Sequence, residues 1–236
     1  MIACPERLLN QAIAYARHGW PVFRCQPGSK EPATRHGFRD ATTCEPQIVR
    51  WWQRQPHANL AIATGAPGPD VLDVDQHGRA GNGFGACHQL EAAGLLDAAS
   101  AVVLTPNGGL HFYFAGSRLA CGRLPRHHLD FRSAGGYVLA PPSQIDGKPY
   151  QLVQHSPAAS GLNWSLVTSL LEPDATARPS PSASAECGLT WDARDGSVFR
   201  GGCLRSGRPM SSRTISKWRA SLQERAGACG QEQCAS

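Results

Sequence analysis

The chain has 236 residues, 41% apolar and 17% charged, with 25 Gly and 18 Pro, enough for one medium domain with a sizeable core and a tail. Lys and Arg outnumber Asp and Glu 23 to 18, a formal charge of +5 that suits a polyanionic partner without demanding one. No run of about 18 apolar residues exists, the first residues lack a charged head and apolar stretch, and the nine cysteines (4, 25, 44, 87, 121, 187, 203, 229 and 234) contain no C-x-x-C, so a soluble, cytoplasmic protein with reduced thiols is expected, with no membrane association, disulfide framework or zinc ribbon.

Residues 6–18 place Leu8, Leu9, Ala12, Ile13 and Ala16 on one face, which predicts an amphipathic helix between Pro5 and Gly19. A short strand is expected over 20–23. A polar loop from Gln26 to Thr43 follows, carrying Lys30, Arg35 and Arg39, and is able to hold an anion. Residues 46–54 fit a second helix burying Ile48, Trp51 and Trp52, and 59–63 a buried strand. Residues 71–75 then read as a strand with Asp73 and Asp75 on one face, followed by a Gly-rich turn and a helix over 84–93. Strands at 101–104 and 110–114 flank Pro106-Asn107-Gly108-Gly109, whose Asn-Gly predicts a hairpin. Strands at 129–132 and 137–140 around Gly135-Gly136 are expected to repeat that arrangement. A short helix over 166–171 closes the compact domain, expected to span 1–172.

Residues 173–236 read as a Pro/Ser-rich linker, centred on 178–185, and a basic tail, either disordered or short-helical over 214–222. Positive charge is densest there: Arg200, Arg205, Arg208, Arg213, Lys217, Arg219 and Arg225 face only Glu224 between residues 200 and 225.

Asp73 and Asp75 leave the same side of a strand roughly 7 Å apart along the backbone. Two such carboxylates repel unless a cation or a proton compensates them, and hard divalent cations prefer these oxygen ligands. His111 follows a Gly-Gly turn and, with Leu110, Phe112 and Phe114 on the opposite side, is expected to point away from the core; turn N–H groups beside an imidazole make a phosphate cradle. Asp130, between Leu129 and Phe131, has Arg132 two positions on as a salt-bridge partner.

Together the three segments resemble the N-terminal primase/polymerase (prim-pol) domain of the archaeo-eukaryotic primase superfamily. The matching blocks are Val71-Leu72-Asp73-Val74-Asp75, Gly109-Leu110-His111 and Leu129-Asp130, with flanks at 19–22, 28–32, 59–65, 105–109 and 135–143, covering about residues 8 to 155. The resemblance implies an α/β (α+β) fold: a primase-like catalytic core with an RRM-like mixed or antiparallel sheet, plus an N-terminal α/β module. It further implies a template-dependent nucleotidyltransferase that makes and extends primers by two-metal phosphoryl transfer in the replication of a plasmid, phage or integrative element. Asp73, Asp75 and Asp130 would bind Mg²⁺ or Mn²⁺ and, with His111, form the catalytic set. Lys30, Asn107, Gly108, Gly109, His111 and Arg132 would contact the nucleoside triphosphate. Single-stranded DNA template is the expected macromolecular partner, with a separate replicative helicase as a further one, because no helicase segment is found in the chain. Zinc is not expected: Cys87, His88, Cys121, His127 and His128 offer ligand types without ligand spacing. Two alternatives stand beside this reading: a catalytically inactive nucleic-acid-binding replication module, and a metal-dependent nuclease or phosphohydrolase using the same carboxylates.

Overall fold

The computed structural model describes residues 5–78, 81–157 and 160–173. The expected linker and basic tail lie outside the described residues. Helix α1 (Pro5–Arg17) buries Leu8, Ala12 and Ala16, with Leu9 and Ile13 packed at the margin, as the apolar spacing requires. It lies against α2 (Glu45–Arg54), which buries Ile48 and Trp52 and has Pro46 in its first turn, where a missing N–H costs nothing. Trp52 Nε1 donates to Ala58 O at 3.2 Å, so the indole satisfies its one donor inside the core.

Both helices pack on a three-stranded antiparallel sheet of β1 (Val22–Cys25), β2 (Asn59–Ala63) and β8 (Tyr137–Leu139), in the order β1-β2-β8. The first strand begins two residues later than the sequence predicts, because Trp20 and Pro21 complete the turn out of α1, and it pairs through Cys25 with Asn59. Ser143 locks β2 to the chain beyond β8: its Oγ donates to Leu60 O and accepts from Leu60 N.

The larger sheet is six-stranded and wholly antiparallel, ordered β11-β4-β5-β3-β7-β6. Its strands are β3 (Asp70–Val74), β4 (Ala101–Leu104), β5 (Leu110–Phe114), β6 (Gly122–Leu124), β7 (Leu129–Arg132) and β11 (Gln151–His155). The predicted hairpin at Asn107-Gly108 joins β4 to β5, with Leu104 opposite Leu110. The second predicted hairpin does not form. Gly135-Gly136 instead carries the chain from β7, which pairs with β3 and β6, across to β8 in the other sheet, so this double glycine is an inter-sheet crossing. A two-stranded ribbon, β9 (Gln144–Ile145) and β10 (Lys148–Pro149), turns through Asp146-Gly147, both with positive φ as a tight I′-type turn requires, and delivers Tyr150 to the site.

Both faces of the six-stranded sheet are covered. Val71, Ala101, Val103, Tyr113 and Tyr150 join the core beneath the three-stranded sheet. On the opposite face Phe131 stacks on Trp164 of α4 (Trp164–Leu171), ring centroids 5.0 Å apart and 11° from parallel, and α4 packs on α3 (Phe84–Ala92). The protein is therefore α+β, with helices and antiparallel sheets in mixed order. No helix among the described residues is long and apolar enough to cross a membrane.

Candidate active site

Strand register brings the singled-out residues into one line. Across neighbouring strands, His111 of β5 stands opposite Asp73 of β3, Asp73 opposite Asp130 of β7, and Asp130 opposite Arg123 of β6. Residues in register across a sheet share a face, so the imidazole, two carboxylates and a guanidinium lie side by side. Asp75 follows the end of β3, and its backbone N–H and C=O are tied to His128 and Gly83.

His111 is only 3% exposed, which corrects the expectation that it points away from the core. Alternation along β5 does separate it from Leu110, Phe112 and Phe114, but the second sheet covers its side too. Its Nε2 lies 3.4 Å from Asp73 Oδ1, its Nδ1 is buried without a partner, and the Tyr150 ring sits 5.6 Å away. Burial, helped by Lys30, pushes the imidazole down to about 3, so it is neutral at pH 7. Its single proton belongs on Nε2, facing the carboxylate.

Burial pushes Asp73 up to about 6, against the pull of Lys30 and Arg132 and reinforced by Asp130. Asp75, half-buried, is also raised, by burial and then by Asp73. His77 Nε2 lies 3.8 Å from its Oδ2. Asp130 differs: Arg123 Nε donates to one oxygen at 2.9 Å and Arg132 donates to the other at 2.5 Å.

Two cavities meet at the His111–Asp73 end of this line. The larger, about 380 Å³, has Lys30, Asp73, His111 and Arg132 on its polar side and Phe38, Tyr137, Val138, Leu139 and Tyr150 on its apolar side. The smaller, about 110 Å³, adds Asp75, Gln76, His77, Thr105 and Asn107 while sharing Lys30, Asp73, His111 and Tyr150. Gly108 and Gly109 line neither. A Cβ on Gly109 would stand 2.4 Å from Val74 O, so this glycine lets the turn close against the end of β3 beside Asp75. Of the loop cations, Lys30 lines both cavities and Arg35 and Arg39 line neither.

The donor set can be compared with a hard divalent cation directly. Asp73 on β3 and Asp75 just past its end both line the smaller cavity, and both are raised by burial and by a neighbouring carboxylate that a cation would offset, so they fit. Asp130 has both oxygens engaged by arginines, and among the described residues no three His, Cys, Asp or Glu side chains converge as a metal site. Asp130 would join such a site only by exchanging a guanidinium.

Sequence reasoning did not find Arg123, Tyr150, Tyr137 or Phe38. Arg123 is seven residues from Asp130, and only strand pairing makes them neighbours; the three aromatics reach the cavity from separate loops and the second sheet, without any local spacing to mark them.

The family model described as bifunctional DNA primase/polymerase, N-terminal, matches residues 12–164. No curated protein matches the chain.

Proposed function

The chain belongs to the bifunctional DNA primase/polymerase N-terminal family, and from that premise we propose that it is a template-dependent nucleotidyltransferase that makes and extends primers. The observation that carries this reading is the His111–Asp73–Asp130 line across three strands, whose first two members line a cavity together with the cations Lys30 and Arg132 and the aromatic residues Phe38, Tyr137 and Tyr150. Lys30 and Arg132 supply positive charge for a triphosphate, and Asn107 offers an amide from the β4–β5 turn. Neutral His111 lines both cavities without adding charge and faces Asp73. Phe38, Tyr137 and Tyr150 present ring surface of the kind a nucleoside packs against.

Asp73 and Asp75 would hold Mg²⁺ or Mn²⁺, with Asp130 as the third carboxylate once an arginine yields. When bound, such ions neutralise phosphate charge and activate a 3′-hydroxyl for in-line displacement of pyrophosphate. The role of the protein is then placement. Replication of a mobile element, with a helicase acting separately, is the setting proposed for it.

Pyrophosphate release by the full chain tests the reading, with primed single-stranded DNA, Mn²⁺ or Mg²⁺, and nucleoside triphosphates. Release matched by strand extension is expected. Strand cleavage without any need for triphosphates would favour a nuclease, and binding without turnover an inactive module.

A further inference from the structure

Between residues 115 and 132 the chain carries four arginines, Arg118, Arg123, Arg126 and Arg132, against one carboxylate, Asp130. That carboxylate is buried and both its oxygens are occupied by Arg123 and Arg132. The segment therefore shows positive charge to solvent with no exposed acid of its own. The loop 26–43, which contributes Lys30 and Phe38 to the cavity lining, sets Lys30, Arg35 and Arg39 against Glu31 and Asp40, a surplus of one.

Geometry gives the surplus a direction. Arg132 lines the larger cavity, Asp130 bridges it to Arg123, and Arg123 lies on β6, the edge strand, with its side chain 71% exposed. Arg126 follows on the 3-10 turn Pro125–His127, and Arg118 precedes β6 beside exposed Leu119. Both are exposed, and among the described residues neither has a hydrogen-bond or ion-pair partner. The nearby carboxylate of Glu172 is 3.9 Å from His127. Cations thus continue from the cavity to the sheet edge, and Asp130 orients two of them by fixing one side of each guanidinium.

We propose that the arginine ridge of the β6 edge, Arg118–Arg123–Arg126, carries the sugar–phosphate backbone of the single-stranded DNA that enters the site. The assignment rests on the transferase reading for the strand's destination, while the ridge itself is a binding surface whether or not chemistry follows. A flexible single strand suits spaced guanidiniums beside an exposed leucine, because its phosphates adjust to the donors and its bases offer ring surface.

Arg118 and Arg126 are the residues to change, being exposed and outside the catalytic line. Fluorescence anisotropy of a fluorescein-labelled, mixed-sequence single-stranded oligonucleotide would be followed with the full chain over a KCl series. Wild type, R118A/R126A and, as a charge-matched control on α2, R50A/R54A would be compared. Each lost phosphate contact makes the log–log salt slope shallower by about 0.7, so R118A/R126A is expected to lose about 1.4 in slope and several-fold in affinity, with R50A/R54A unchanged. Equal slopes for wild type and R118A/R126A, equal losses in both double variants, or no binding by wild type would each overturn the ridge. Nucleotide incorporation by wild type is read in parallel. Incorporation with an unmoved slope sinks the ridge alone, and a moved slope without incorporation sinks the transferase reading alone.

Discussion

At Asp73, burial raises the carboxyl while Lys30 and Arg132 draw it down, and the balance near 6 leaves a carboxylate that a cation would stabilise. Its types and spacing are legible in the chain, as are those of Asp75, His111 and Asp130. Their alignment is not, because register depends on which strands pair, and β5, β3 and β7 pair out of chain order. Thiol chemistry offers an independent check on burial at this scale. Cys25 and Cys87 are buried and their thiols are pushed up to about 12 by desolvation, whereas Cys44 and Cys121 are exposed. Raising a thiol pKa shrinks the reactive thiolate at any lower pH, to roughly one part in 10⁴ at pH 8 for a pKa near 12. Iodoacetamide at pH 8 followed by peptide mapping should therefore modify Cys44 and Cys121 and spare Cys25 and Cys87. Prompt labelling of Cys87 would mean that α3 does not pack as described.

Periodicity finds most elements. Residues 5–17 and 45–54 form the predicted helices, the second burying Ile48 and Trp52 while Trp51 is only partly covered, and Asn107-Gly108 makes the predicted hairpin. Gly135-Gly136 misleads because a double glycine permits a tight turn without specifying it; the apolar residues of β8 find a better partner in β2. His111 misleads because alternation names two faces without saying that both are covered. Two substitutions test the elements. Phe131 is fully buried against Trp164, so Phe131→Ala should lower unfolding free energy by about 3–5 kcal/mol in urea melts. A loss below about 1 kcal/mol would show that α4 does not cover this face. Gly109→Ala forces a Cβ onto Val74 O, so the turn must move away from β3, lowering stability by about 1–3 kcal/mol. It should also reduce nucleotide incorporation, since Asn107 and the end of β3 are held by that contact; unchanged melting and activity would contradict the tight approach.

Taken together, the described residues set a six-stranded sheet between a smaller sheet and two helices, with a cavity that reaches His111 and Asp73. Covering both faces makes the polar line costly to bury, which is why its members are paired or strongly perturbed rather than solvated. Such an arrangement serves fold stability poorly and charge chemistry well. The most direct measurement is primer extension by Asp73→Asn beside wild type, in Mn²⁺, with circular dichroism and thermal melting on the same preparations. Asn keeps the volume and removes the charge at the centre of the line, so the account predicts a native spectrum with incorporation reduced by about 10³-fold or more. Incorporation at the wild-type rate by a folded Asp73→Asn protein would contradict it.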